Sequence, residues 1–144
     1  MTKPMIIIAE TDPEIGRHID SLISNIYNIF VVTDEESLID YIKTQEMKIR
    51  VILMNEKFST KTNDIFLPQI KDISILPEVI IYSTETHFDK AIATVKSGAY
   101  DYLNYPFTKE SILLSLEKVL NNVNFFQKLD TLKQDYSPLE KNID

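Results

Sequence analysis

The stretch that decides the fold is Val51-Ile-Leu-Met-Asn55, in which four apolar residues end on a polar one. A continuous apolar run of this length, with two β-branched members, is typical of a strand buried on both faces of a parallel sheet. The following loop, 56–63, is rich in turn-forming residues. Such sheets place their ligands in the crevice outside the carboxyl ends of the strands. Asn55 is therefore predicted to open into the functional site.

The same pattern recurs on both sides of this run. Met5 to Ala9 is again continuously apolar, and Glu10-Thr-Asp12 precedes Pro13. Asp followed by Pro predicts a helix that begins with Asp12 as its N-cap. Other strand patterns lie at 28–32, 79–82 and 100–104, and other helix patterns begin near 34, 63, 88 and 108. This order predicts one α/β domain, a doubly wound (βα)5 sandwich with a central five-stranded parallel sheet.

Three residues set the expected limits of helices. Pro68 stands inside the third helix pattern. Proline is tolerated only in the first turn of a helix, so a short or irregular helix is predicted. Gly98 is expected to end the fourth helix, and Thr108 is expected to be the N-cap of the last one.

The last helix pattern extends beyond the length that a compact domain needs. Its apolar positions run from Ile112 to Val123 and keep helical spacing through Phe126, Leu129 and Leu132. We predict a domain over 1–122, followed by a C-terminal helical extension and a flexible tail over 123–144.

The composition excludes several classes of function. The chain of 144 residues has no cysteine, and 15 basic against 22 acidic residues give a net charge of −7. Disulfides, thiolate catalysis and cysteine metal sites are therefore excluded. The acidic balance disfavours binding to nucleic acid, which depends on Lys and Arg that neutralise phosphates. The first apolar run is too short for a signal peptide or a membrane span, so a soluble, cytoplasmic protein is expected.

Four segments resemble the signature segments of bacterial response-regulator receiver domains: Ile6-Ile-Ile-Ala-Glu10-Thr-Asp-Pro, Val51-Ile-Leu-Met-Asn55, Glu78-Val-Ile-Ile-Tyr-Ser83-Thr84 and Gly98-Ala-Tyr-Asp-Tyr-Leu-Asn-Tyr-Pro106-Phe107. Their order and spacing resemble that family's over about residues 4–122. The resemblance implies a flavodoxin-like fold and a role in signal transduction. In the family, two adjacent acids after the first strand hold Mg²⁺, and an Asp that ends the third strand accepts a phosphoryl group. A Thr or Ser ends the fourth strand, and a Lys precedes the proline after the fifth.

The chain departs from this family at the residues that carry the chemistry. The matching positions hold Glu10 and Thr11 for the two acids, Asn55 for the phosphoacceptor, Ser83 for the hydroxyl and Tyr105 for the Lys. An amide nitrogen is not a nucleophile and cannot form the acyl phosphate that a carboxylate forms. Mg²⁺ usually needs one or two carboxylates, and two have been lost. The degenerate pocket therefore predicts a pseudo-receiver with no catalytic residue, no metal and no cofactor.

The resemblance also implies where this module meets other molecules. In the family, the fourth helix, fifth strand and fifth helix form the surface for a protein partner, an output domain or a second copy. Tyr102 matches the family's switch aromatic. No direct contact with nucleic acid or a membrane is expected. The tight turn after the fifth strand, with an aromatic residue before proline, predicts a cis Tyr105–Pro106 bond.

Purely structural interpretations of the same residues stay open. Acids near a helix start, such as Glu10 and Asp12, are stabilised by the helix dipole without any function. Asn55 is favoured as a hydrogen-bonding residue that holds the first loop to the third. Ser83 is favoured as a loop hydroxyl bonded to backbone. The two histidines, His18 and His87, are too isolated for a metal site or a catalytic pair, so surface or loop positions are expected.

Two functional alternatives also stay open. The first is a receiver that is still switched through a rearranged acidic site of Glu10, Asp12 and Glu56. The second is a haloacid-dehalogenase-like, Mg²⁺-dependent phosphatase, which would need two Asp flanking one residue after the first strand. Glu10-Thr11-Asp12 imitates that motif weakly, because the first residue is the wrong nucleophile.

Overall fold

A computed structural model describes residues 3–45, 48–85 and 88–121 of the chain. Strands and helices alternate in the order β1 (Met5–Ala9), α1 (Pro13–Ile23), β2 (Asn28–Val32), α2 (Glu35–Thr44), β3 (Ile49–Asn55), α3 (Asn63–Ile73), β4 (Glu78–Ser83), α4 (Phe88–Lys96) and β5 (Asp101–Asn104), followed by α5, described over 109–121. All strand pairs are parallel, in the order β2-β1-β3-β4-β5. The predicted five-stranded, doubly wound fold is confirmed.

Each face of the sheet carries its own hydrophobic core, and β3 contributes to both. Val51 and Leu53 pack in the core that α1 and α5 cover, whereas Ile52 and Met54 pack in the core that α2 and α3 cover. Side chains of a strand alternate between the two faces, so a strand covered on both sides must be apolar throughout. The continuous apolar run that predicted β3 follows from this arrangement.

The helix limits follow the local signals in the sequence. Asp12, Asp34 and Thr108 each accept a hydrogen bond from a backbone N–H in the first turn of the following helix, at 2.8 to 3.1 Å. These caps satisfy N–H groups that have no partner within the helix. Gly98 follows α4 with a φ of +116°, a conformation that other residues rarely adopt. The caps predicted at Asp12 and Thr108 and the glycine stop at Gly98 are confirmed.

The third helix is longer than predicted. It has 11 residues, as many as α1, and contains Pro68 in its interior. Pro68 cannot donate to the carbonyl oxygen of Asp64, four residues earlier, but both residues are exposed, so water can satisfy that oxygen. Meanwhile the apolar face of α3, including Phe66, is buried in the core. Packing outweighs one lost hydrogen bond, and the expectation of a short helix is wrong.

The turn after β5 has the predicted geometry. The Tyr105–Pro106 bond is cis. The Tyr105 N–H donates to the carbonyl oxygen of Ser83 at 2.7 Å, which ties the turn to the end of β4. Tyr105 is thereby placed at the carboxyl edge of the sheet, where the predicted pocket lies.

Several predictions concern residues outside the described ranges. The proposed extension over 123–144, with Val123, Phe126, Leu129 and Leu132, lies beyond the last described residue. His87 also belongs to a segment that the structure does not describe. Across 3–45, 48–85 and 88–121, no helix is both long and apolar enough to cross a membrane.

Candidate functional site at the carboxyl edge of the sheet

Glu10 follows β1 directly, and only 1% of its surface is exposed. Its Oε1 accepts hydrogen bonds from Asn55 Nδ2 and from the Tyr82 hydroxyl, both at 2.8 Å. Its Oε2 accepts a hydrogen bond from the backbone N–H of Asp12 at 3.0 Å. Because burial penalises a charge, a buried carboxylate depends on donors such as these three neutral groups.

Asn55 is bonded at both ends of its side-chain amide. Nδ2 donates to Glu10, and Oδ1 accepts from the backbone N–H of Lys57 at 2.9 Å. Only the NH₂ group can donate to a carboxylate and only the oxygen can accept from an N–H, so the two partners fix the orientation of the amide. The bond to Glu10 joins the loop after β1 to the end of β3. This is the structural contact that the sequence favoured for Asn55.

Tyr82 is a site residue that the sequence analysis missed. It lies beside Asn55 in the neighbouring strand β4 and is fully buried. Burial raises the pKa of Tyr82 far above its usual value, and the hydrogen bond and negative charge of Glu10 raise that pKa further. The hydroxyl therefore remains a donor to Glu10. One signal was present in the sequence: a tyrosine in an aliphatic strand needs a partner for its hydroxyl.

Tyr105 adjoins this cluster and pairs with a histidine. Its hydroxyl oxygen lies 2.7 Å from His18 Nδ1, and the two rings are T-shaped with centroids 5.7 Å apart. Tyr105 also packs edge-to-face on Phe107. Burial, followed by the negative charges of Glu10 and Asp12, raises the pKa of Tyr105. His18 is exposed, as predicted, but its pairing with a residue 87 positions away was not predicted.

A second cluster forms around Glu56, next to Asn55 in sequence. The Tyr102 hydroxyl donates to Glu56 Oε2 at 2.7 Å, and Lys90 Nζ lies 3.4 Å from Glu56 Oε1. Ser83 Oγ accepts from the backbone N–H of Glu85 at 3.0 Å, the loop role favoured for it. Burial alone would raise the pKa of Glu56, but the hydrogen bond from Tyr102, the hydroxyl of Ser83 and the charge of Lys90 together lower it.

The predicted pocket is thus divided between the two faces of the sheet. Glu10 and Asn55 form one cluster with Tyr82, which packs in the core beneath α1 and α5. Tyr102 packs against the core beneath α2 and α3, where its hydroxyl meets Glu56. The remaining predicted residue of the pocket, Thr11, is exposed. We refer to these groups below as the Glu10 cluster (Glu10, Asn55, Tyr82) and the Glu56 cluster (Glu56, Tyr102, Lys90).

The residues of the Glu10 cluster do not fit the magnesium site of receiver domains. Both carboxylate oxygens of Glu10 already accept hydrogen bonds, and the Asn55 oxygen is bonded to a backbone N–H. Thr11 supplies no carboxylate, whereas Mg²⁺ usually requires one or two. Within the described part of the chain, no three His, Asp or Glu side chains are grouped so that they could hold a metal. Glu10, Asp12 and Glu56, the residues of the alternative acidic site, do not form such a group.

No protein-family model matches the chain. In sequence, the chain is 24% identical over 126 residues to the 3′,5′-cyclic-nucleotide phosphodiesterase regA of Dictyostelium discoideum. The match covers 85% of this chain but only 16% of the phosphodiesterase, so the chain spans a small part of that relative's length.

Solved structures provide a closer comparison of the fold. The receiver domain of a Clostridium thermocellum response regulator has a TM-score of 0.78 at 20% identity, over 85% of this chain and 98% of that one. A Thermotoga maritima response regulator has a TM-score of 0.73 at 16% identity, over 84% and 99%. The beryllofluoride-activated NtrC4 receiver domain dimer has a TM-score of 0.74 at 21% identity, over 83% and 98%. Because almost the whole of each neighbour is matched, the chain has the fold of response-regulator receiver domains.

Proposed function

We propose that the chain is a pseudo-receiver, a cytoplasmic protein-interaction module of signal transduction that does not use aspartyl phosphorylation. The hydrogen bond of 2.8 Å from Asn55 Nδ2 to Glu10 Oε1 carries this proposal. The position that matches the phosphoacceptor holds an amide, whose nitrogen is not a nucleophile. The same bond engages the acid that matches a ligand of Mg²⁺.

An amide at position 55 also removes an electrostatic conflict. A carboxylate there would face the buried carboxylate of Glu10, whose present partners are all neutral. Two like charges about 4 Å apart repel by roughly 4 kcal/mol at an effective dielectric constant near 20. Asn55 replaces this repulsion with a hydrogen bond to a charged acceptor, the stronger class of hydrogen bond. The edge of the sheet can therefore be stable without a bound cation.

We propose that partners bind through α4, β5 and α5. On α4, Ile92 and Val95 are exposed by 59% and 47%, and Leu114 on α5 is exposed by 53%. Exposed apolar side chains of this size favour contact with another protein. One similar structure is a receiver domain dimer, which supports a second copy of the chain as a partner. The alternative partners are a different protein and an output domain.

We propose no enzymatic activity for this module. A phosphatase of the haloacid-dehalogenase type would need a free nucleophilic carboxylate after β1. Glu10 is buried and accepts three hydrogen bonds, while the Asp12 carboxylate caps α1. The activity named for the Dictyostelium relative is not extended to this chain, which covers 16% of it.

The proposal is tested by incubating the chain with acetyl phosphate and Mg²⁺ and measuring its intact mass. We expect an unchanged mass, because no carboxylate occupies position 55. A receiver domain that retains its phosphoacceptor Asp, treated in parallel, shows that the donor is active. Addition of one phosphoryl group to most molecules of this chain would overturn the pseudo-receiver proposal.

A further inference from the structure

Glu56 connects three elements at the carboxyl edge of the sheet. Its carboxylate accepts a hydrogen bond from Tyr102 on β5 at 2.7 Å and forms an ion pair of 3.4 Å with Lys90 on α4. Its backbone N–H donates to the carbonyl oxygen of Tyr82 on β4 at 2.8 Å. The Glu56 side chain is only 11% exposed, so its polar contacts are partly shielded from water and are stronger for it.

One partner of Glu56 stands at a position that the family resemblance marks. Tyr102 matches the switch aromatic of receiver domains, and its hydroxyl donates to Glu56 at 2.7 Å. The Lys90 ammonium group lies 3.4 Å from the other carboxylate oxygen. A hydroxyl group and an ammonium group therefore converge on a single negative charge that belongs to the chain itself.

We propose that Glu56 is a built-in anion that holds Tyr102 and Lys90 in one arrangement and so fixes α4 against β5 without a phosphoryl group. This inference rests on the proposed function, because it names the charge that takes the place of phosphate in a module that is not phosphorylated. Glu56 is a positioning residue. It orients α4, the helix on which Ile92 and Val95 are exposed.

The ion pair of Glu56 borders a pocket at the carboxyl edge of the sheet. Glu56 and Lys90 line a pocket of about 560 Å³ between α4 and the loop that leads to α3. The Lys90 side chain is 52% exposed. The neighbouring Lys57 pairs with Glu85 at 3.0 Å, in a bridge where both side chains are largely exposed. Glu56 is thus the more buried acid of these two pairs.

The test compares the full chain with its Glu56→Ala and Glu56→Gln variants by hydrogen-exchange mass spectrometry. We expect the amides of α4 to exchange at least about tenfold faster in Glu56→Ala, while those of α1 and α2 keep their rates, because only the attachment of α4 is lost. Glutamine can still accept from Tyr102 but has no charge for Lys90. Glu56→Gln should therefore show a smaller increase.

Glu78→Ala is the matched control. Glu78 is also a partly buried acid that forms an ion pair, 3.7 Å from Lys71, but it lies at the opposite end of β4. This variant should leave the exchange of α4 unchanged. The role of Glu56 would be overturned if α4 exchanged at the wild-type rate in Glu56→Ala. It would also be overturned if Glu56→Ala and Glu78→Ala accelerated the exchange of all helices equally. Neither result involves a phosphodonor, so failure here is distinct from phosphoryl labelling, which would overturn the proposed function itself.

Discussion

A single buried carboxylate determines which side chains can surround it at this edge of the sheet. Glu10 accepts hydrogen bonds from an amide, a phenol and a backbone N–H. Any one of these donors can be lost only at the cost of leaving part of a buried charge unsatisfied. Asn55 and Tyr82 are therefore explained by their hydrogen-bonding capacity, and each can be tested by replacing it with a residue of similar shape.

Asn55→Asp keeps the shape of the side chain but replaces the NH₂ donor with a carboxylate oxygen. We expect a loss of at least about 2 kcal/mol in the free energy of unfolding, because a donor to Glu10 becomes a second carboxylate. Urea denaturation at neutral pH measures this loss. Asn28→Asp is the control, since Asn28 is exposed and its amide donates to a backbone carbonyl. A stable Asn55→Asp variant would show that the bond to Glu10 contributes little.

The same Asn55→Asp variant should still resist phosphorylation. It restores the nucleophile, but Thr11 supplies no carboxylate for Mg²⁺ and Tyr105 supplies no cation for the phosphoryl group. Intact-mass measurement after treatment with acetyl phosphate and Mg²⁺ should show little labelling. The triple variant Thr11→Asp, Asn55→Asp, Tyr105→Lys should be labelled. Strong labelling of the single variant would mean that the losses at Thr11 and Tyr105 matter less than proposed.

Tyr82→Phe removes only the hydroxyl that donates to Glu10. We expect it to cost about 1.5–3 kcal/mol at pH 7, the range for a hydrogen bond to a charged group. Tyr41→Phe is the control, because the Tyr41 hydroxyl contacts only the Met5 sulfur at 3.9 Å among its described hydrogen bonds. Urea denaturation of both variants gives the comparison, and equal losses would contradict the assigned role of Tyr82.

Tyr82 should also give the fold a characteristic dependence on alkaline pH. Its pKa is raised in the folded state, chiefly by burial. The unfolded chain therefore releases this proton first, so the contribution of Tyr82 to stability is complete below about pH 10 and is lost as the pH rises further. The free energy of unfolding should fall above about pH 10, and less steeply in Tyr82→Phe. If the free energy of unfolding falls as steeply in Tyr82→Phe as in the unchanged chain, the alkaline loss of stability belongs to other tyrosines.

The sequence identified some residues of the site better than others, for a physical reason. Glu10 and Asn55 directly follow or end apolar strands, so their place at the carboxyl edge could be predicted from local pattern. Tyr82 joins them because β3 and β4 pair with Asn55 beside Tyr82, a register that local pattern does not specify. His18 reaches Tyr105 across 87 residues of chain. Contacts that depend on strand register and helix packing cannot be predicted from residues that are neighbours in the sequence.

The length of a helix is set by both local sequence signals and tertiary packing, and in α3 the packing has the larger effect. The strands and four of the helices lie where apolar periodicity and caps predicted them. For α3, the local signal of Pro68 was overridden because the helix buries an apolar face against the sheet. Sequence pattern thus predicts that an element exists more reliably than it predicts its length.

Pro68→Ala should accordingly stabilise the fold. The substitution returns an N–H that can donate to the Asp64 carbonyl and removes a residue that costs up to about 3 kcal/mol in a helix interior. We expect a gain of roughly 1–3 kcal/mol in urea denaturation with an unchanged slope. Asp72→Ala, at an exposed position of the same helix, should change stability by less than about 0.5 kcal/mol. A destabilised Pro68→Ala variant would show that Pro68 contributes packing that its exposure does not suggest.

In the whole domain, each face of the sheet has its own buried or partly buried acid, Glu10 on one face and Glu56 on the other. The Glu10 cluster holds the loop after β1 to the end of β3, and its neighbour Tyr105 contacts His18 on α1. The Glu56 cluster holds α4 to β5 on the other face. The chain's own side chains thus connect loops, strands and helices on both faces of the sheet.

Our prediction of the oligomeric state concerns a segment that lies beyond the described residues. Ile112 and Leu116 of α5 are buried in the core, within the described part of the helix that ends at residue 121. The apolar positions Val123, Phe126 and Leu129 nevertheless keep helical spacing. A helix that continued with this stripe would expose large apolar side chains unless a second copy or an output domain covered them. We therefore predict a homodimer through the last helix.

Light scattering of the full chain and of a version that ends at Asn122 tests this prediction. The full chain should be a dimer and the shortened chain a monomer, because only the stripe is removed while the core residues of α5 remain. Phe126→Ser combined with Leu129→Ser in the full chain is the matched variant, since it keeps the length and interrupts the stripe. Asn121, Asn122 and Asn124 are poor helix formers and work against a continuous helix. If all forms are monomers at high concentration, those asparagines end the helix and the partner surface is confined to α4, β5 and the described part of α5.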